Sequence, residues 1–108
     1  MADKKKILIV DDDEIVRKAI ENFAKKNNLE SDSVSSGQEA IEKIKSNPNY
    51  ILILIDINMP GMDGYETAKN LKETAGDNLG KMVVMSGGKF IFFYINFFRW
   101  VRWKWIYF

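Results

Sequence analysis

Residues 51–55, Ile-Leu-Ile-Leu-Ile, form an unbroken apolar run that ends on a carboxylate, Asp56, with Asn58 and Pro60 close behind. A short run with no polar alternation has no face to give to water. It belongs in the middle of a parallel sheet that is covered on both sides. The rest of the chain supplies matching parts. Residues 7–10 are a second short apolar run. Residues 13–27 read as a helix with Val16, Ala19, Ile20 and Phe23 on one face, and Asn27-Asn28 is a stop signal. Residues 29–34 read as a weak strand, polar enough for a sheet edge. Ser36 and Glu39 fit a capping box at the head of a helix that buries Ala40, Ile41 and Ile44 and ends before Pro48. Asp63 caps a third helix carrying Tyr65, Ala68 and Leu71, which Gly76 and Gly80 break. Residues 82–85 make a fourth strand, and Ser86-Gly87-Gly88 a turn.

Strand and helix alternate throughout, so the expected fold is α/β: a doubly wound parallel sheet with helices on both faces. In such folds ligands bind beyond the carboxyl ends of the strands. Asp11 and Asp12 end the first strand, Asp56 the third and Ser86 the fourth. At 108 residues the chain suits one domain. It holds no Cys and no His, which removes thiol chemistry and the commonest general base and metal ligand. The work is left to carboxylates, amides, hydroxyls, lysines and a bound cation. Taken singly, the acidic run from Asp11 to Glu14 is an ordinary helix start, and Ser86 an ordinary turn residue. Gathered at one edge, three carboxylates repel until a proton or a cation neutralises them. Mg²⁺ favours such oxygen ligands. An ionised Asp can also attack phosphorus to give an acyl phosphate, and Ser86 could donate a hydrogen bond to a phosphoryl oxygen.

The segments ILIVDDD, LILIDINMPGMDG and VVMSG, in this order, resemble the receiver domain of two-component response regulators over about residues 5–88. The resemblance implies a flavodoxin-like fold, here with strand order 2-1-3-4 and the fifth-strand region replaced by an atypical tail. It implies that Asp56 accepts the phosphoryl group and that Asp11 and Asp12 are the acidic pair. Mg²⁺ would be held by Asp11, Asp12, Asp56 and the backbone carbonyl of Asn58, with Asp12 a direct ligand. Ser86 matches the family's Thr/Ser position, and Pro60 and Gly61 shape the neighbouring loop. The implied phosphoryl donor is a histidine kinase or phosphotransfer protein. The implied role is a phosphoryl-accepting switch, cytoplasmic and not an enzyme, whose output is contact with another protein. The phrase Asp56-Ile57-Asn58 after an apolar strand is also similar to haloacid dehalogenase-type phosphatases. Those want a second Asp two residues on, where this chain has Asn58.

Residues 89–108 depart from the family pattern. They hold four basic residues, no acid and 11 of the chain's 14 aromatic residues, while residues 1–88 carry 12 basic and 15 acidic ones. The family's essential Lys has no clear counterpart, since Lys89 comes too early and Lys104 lacks a following Pro. Phosphorylation and switching are therefore expected to be impaired, with the Mg²⁺ site retained. One reading makes the tail an out-of-frame translation, because residues 102–108 reread one base later can spell Gly-Gly-Asn-Gly-Phe. The rival reading is a membrane-surface or partner-binding segment. Its longest uncharged run, residues 90–98, is too short for a transmembrane span. The four apolar residues at 7–10 are too few for a signal peptide.

Overall fold

A computed structural model describes residues 6–76 and 80–85. Its elements run β1 (Lys6–Val10), α1 (Glu14–Lys26), β2 (Glu30–Val34), α2 (Gly37–Ser46), β3 (Leu52–Asp56), α3 (Gly64–Ala75) and β4 (Lys81–Met85). The four strands form one parallel sheet in the order β2-β1-β3-β4, as expected. Val10 pairs with Val34 on one side and with Ile55 on the other, and Asp56 pairs with Met85. This register brings the carboxyl ends of β1 and β3 level, so the residues that follow them meet at one edge.

Side chains alternate across a strand, and the two faces are covered by different helices. Leu8, Val10, Ile53, Ile55 and Met82 pack with Ala40 and Ile44 of α2 and Ala68 and Leu71 of α3. Ile7 and Ile9 point the other way, against Ala24 and Ile20 of α1. β2, with the sequence Glu-Ser-Asp-Ser-Val, stands at the sheet edge, where a polar strand is tolerated. The expectation for residues 51–55 needs one refinement. Ile53 and Ile55 are fully buried, but Leu52 and Leu54 on the α1 side are only half-buried, because α1 lies over β1 and β2.

Two local expectations are corrected. The inward line of α1 runs through Val16, Ile20 and Ala24, while Ala19 is exposed and Phe23 is 68% exposed. Phe23 sits about a quarter of a turn from the centre of the buried face, on its flank. At α2 the Ser36 hydroxyl accepts from the Glu39 N–H at 3.2 Å, as a cap should. The Glu39 carboxylate, however, takes chiefly the N–H and hydroxyl of Ser35, at 2.7 and 2.9 Å, with the N–H of Ser36 a lesser partner. The extended backbone before the helix brings the preceding residue within reach as well. At α3, Ala68 and Leu71 are buried as read, and Tyr65 is on the outer side at 39% exposure. Asn28 has φ 58°, a left-handed conformation that Asn tolerates, and it ends α1 as the sequence suggested.

Candidate functional site: an acidic pocket at the carboxyl edge of the sheet

Asp11 continues β1 by one residue. Its N–H donates to the Val34 carbonyl at 3.2 Å, extending the β1–β2 ladder, and its side chain is 4% exposed. The chain then turns sharply into α1. The Asp13 N–H donates to Asp11 Oδ1 at 2.9 Å, and Asp13 caps the helix by accepting from the Ile15 N–H at 2.9 Å. Asp12 is left at the apex, exposed and beside its buried neighbour. The Arg17 guanidinium, one turn into α1, donates to the Asp11 carbonyl at 2.7 Å.

Asp56 ends β3, and the residue after it is tied down at once. The Ile57 N–H donates to the Met85 carbonyl at 2.8 Å, and the Gly64 N–H donates to the Ile57 carbonyl at 3.0 Å. The Asn58 N–H donates to Asp56 Oδ1 at 3.1 Å, which turns that carboxylate toward the loop. Between them Gly61 adopts φ 78° after Pro60, a conformation suited to Gly in a tight turn. Met59 is buried and serves packing. Gly64 allows α3 to begin directly beneath the site. A Cβ there would stand 2.5 Å from the Asp56 carbonyl oxygen and 2.7 Å from the Ile57 Cα.

The outcome is that Asp11, Asp12 and Asp56 each offer a carboxylate oxygen, and these oxygens all lie within 4.8 Å of one another. Burial and crowding show in the acidities of Asp11 and Asp56. Burial pushes the Asp11 carboxyl up to about 6, opposed by the Asp13 N–H and reinforced by the charges of Asp56 and Asp12. Burial also raises Asp56, against the Asn58 N–H, with Asp12 adding repulsion. A site where carboxylates hold protons too tightly, with oxygen donors alone, suits a hard divalent cation that relieves the repulsion. Of the residues expected here, these three converge, and Asn58 flanks them through its bond to Asp56. Ser86 lies outside the described residues, as do Lys89, Lys104 and the whole of 89–108. The sequence reading missed Arg17 and Gly64. The Asp-Gly pair at 63–64 was a usable signal for the second, and nothing in the spacing marked the first.

The sheet order and the pocket define a class: a doubly wound parallel α/β protein with an acidic site at the strand ends. Residues 7–95 match the response regulator receiver domain, and the chain belongs to that family, a module of two-component signal transduction. The transcriptional regulatory protein ResD of Bacillus subtilis is 40% identical over 68 residues, covering 63% of this chain and 28% of ResD. SrrA of Staphylococcus aureus, also a transcriptional regulatory protein, is 40% identical over 67 residues, or 62% of this chain and 27% of that protein. The alignments thus span little more than a quarter of these relatives. The chemotaxis protein CheY4 of Vibrio cholerae shares the fold, with a TM-score of 0.70 over 76% of this chain and 68% of that one, at 24% identity. No helix among the described residues is long and apolar enough to cross a membrane.

Proposed function

We propose that Asp56 is the phosphoacceptor of a Mg²⁺-dependent signalling switch, loaded by a histidine kinase or phosphotransfer protein. The observation that carries this reading is the meeting of three carboxylate oxygens within 4.8 Å at the ends of β1 and β3. Asp11, Asp12, Asp56 and the backbone carbonyl of Asn58 would hold the cation. When bound, it offsets negative charge on the carboxylates and on the transferring phosphoryl group.

The protein's own part is nucleophile and scaffold. Asp56 is fixed by the β3 ladder, and the Asn58 N–H engages its Oδ1. A carboxylate oxygen of Asp56 attacks phosphorus. The bond from phosphorus to the donor's leaving atom breaks, its electron pair stays with that atom, and an acyl phosphate remains on Asp56. Asp11 and Asp12 make the site selective for the charge-compensated donor, because an uncompensated phosphoryl group would meet two more negative charges. Ser86 would follow the phosphoryl group as a hydrogen-bond donor. The added charge then alters a protein-binding surface, and the chain acts as an acceptor rather than an enzyme in the cytoplasm.

Incubation with acetyl phosphate and Mg²⁺, followed by intact mass and peptide mapping, tests this. One hydroxylamine-labile phosphoryl group on Asp56, absent without Mg²⁺ and absent in Asp56→Asn, is the expected result. Phosphate on Asp56→Asn, or steady turnover of many phosphoesters, would overturn it.

A further inference from the structure

Among the described residues, a basic side chain is built into the frame of the acidic pocket. Arg17 is half-buried on α1, and it binds the turn that carries the acidic pair at two points. Its main-chain N–H donates to the Asp13 carbonyl at 3.0 Å, as part of the helix. Its guanidinium donates to the Asp11 carbonyl at 2.7 Å, which is not a helix bond and depends on this side chain. The Asp11 carbonyl belongs to the peptide unit that leads into Asp12. That unit is planar, so fixing its oxygen fixes the plane from which the Asp12 Cα departs. Asp11 needs little such help, since its N–H is in the sheet ladder and its Oδ1 holds the Asp13 N–H. Asp12 is exposed at the apex of the turn, and the peptide plane before it sets where its side chain starts.

We propose that Arg17 is a positioning residue for the acidic pocket: by clamping the Asp11 carbonyl it sets the direction in which Asp12 presents its carboxylate to a divalent cation. The inference rests on the Mg²⁺ reading given above. It assigns Arg17 no contact with the cation or the phosphoryl group. A guanidinium–carbonyl bond at this distance is charge-assisted and short, hence stiff. The charge of the guanidinium is also felt at the head of α2. The Glu39 carboxyl is held low first by the Ser35 N–H and then by the Ser35 hydroxyl, and Arg17 adds to the effect.

The test uses the full chain and the variants Arg17→Met, which keeps the apolar stem, and Arg17→Lys, which keeps the charge and a single donor. Mg²⁺ alone is the probe, titrated against backbone amide resonances, with urea unfolding run in parallel. Arg17→Met should bind Mg²⁺ about tenfold more weakly, the usual scale for losing a residue that orients a ligand. Its Asp12 and Asp13 amides should shift before any Mg²⁺ is added. Arg17→Lys should fall between, about threefold weaker than the parent, because a lone ammonium replaces a planar fork. Parent-like affinity in folded Arg17→Met, even with a lowered urea midpoint, would mean a purely structural role and overturn the inference. If Arg17→Met does not fold, Arg17→Lys decides, and parent-like affinity there overturns it equally. A parent chain that binds no Mg²⁺ removes the functional reading and this inference together. Binding by the parent with unaffected variants removes the inference alone.

Discussion

At the scale of single residues, the pocket is a place where the fold works against itself. Burial holds the Asp11 carboxyl up at about 6, and Asp56 is raised for the same reason. A group whose folded acidity is weakened in this way favours the folded chain when protonated. That contribution is complete below the unfolded value of about 4 and is lost as pH rises through about 6. At neutral pH and without a cation, the three charges therefore destabilise the protein. Replacing Asp56 by Asn removes one of them while keeping shape and the bond from the Asn58 N–H. We expect Asp56→Asn to stabilise the cation-free chain by about 0.5–1 kcal/mol in urea unfolding near neutral pH, a modest figure because solvent screens the exposed Asp12. A loss of stability would mean that the carboxylates do not repel as their spacing implies. These three residues were legible in the sequence because each ends a short apolar strand, and strand ends are where such sheets collect ligands. Arg17 was not legible. Its role depends on a guanidinium reaching back six residues to a carbonyl, and a lone Arg on a helix surface carries no pattern.

At the scale of elements, the loop from Asp56 to Gly64 is held by its two ends. Asp56 is in the β3 ladder, and Gly64 opens α3 against the backbone of Asp56 and Ile57. The φ of Gly64 is not the issue; the space is. A Cβ 2.5 Å from a carbonyl oxygen forces α3 or the loop to shift, and neither is a pliable side-chain end. Gly64→Ala should destabilise the fold by about 2–3 kcal/mol and move the Asp56 and Asn58 amides, read by urea unfolding and amide shifts. Unchanged stability and shifts would mean that α3 is not seated against β3 as described. The elements themselves followed from periodicity, with ends displaced by about a residue. The buried face of α1 did not, because the line through Ala19 and Phe23 competes with the line through Ile20 and Ala24. Both are apolar at helical spacing, and only contact with Ile7 and Ile9 decides between them.

At the scale of the molecule, one parallel sheet with helices on both faces brings residues 11, 12 and 56, far apart in the chain, to one edge. The order β2-β1-β3-β4 was expected only through the resemblance to receiver domains, since alternation alone does not fix strand order. The expectations for residues 89–108 lie outside the described residues, and the family match itself ends at 95. The central claim is that the gathered carboxylates hold a divalent cation beside Asp56. Titrating Mg²⁺ against backbone amide resonances at about pH 7.5 and about pH 5 tests it most directly. Saturable shifts confined to residues 11–13 and 56–58, with binding markedly weaker at the lower pH because the cation must displace the Asp11 proton, are the predicted result. Diffuse, non-saturating shifts across the acidic surface, or binding that is indifferent to pH across this range, would contradict it.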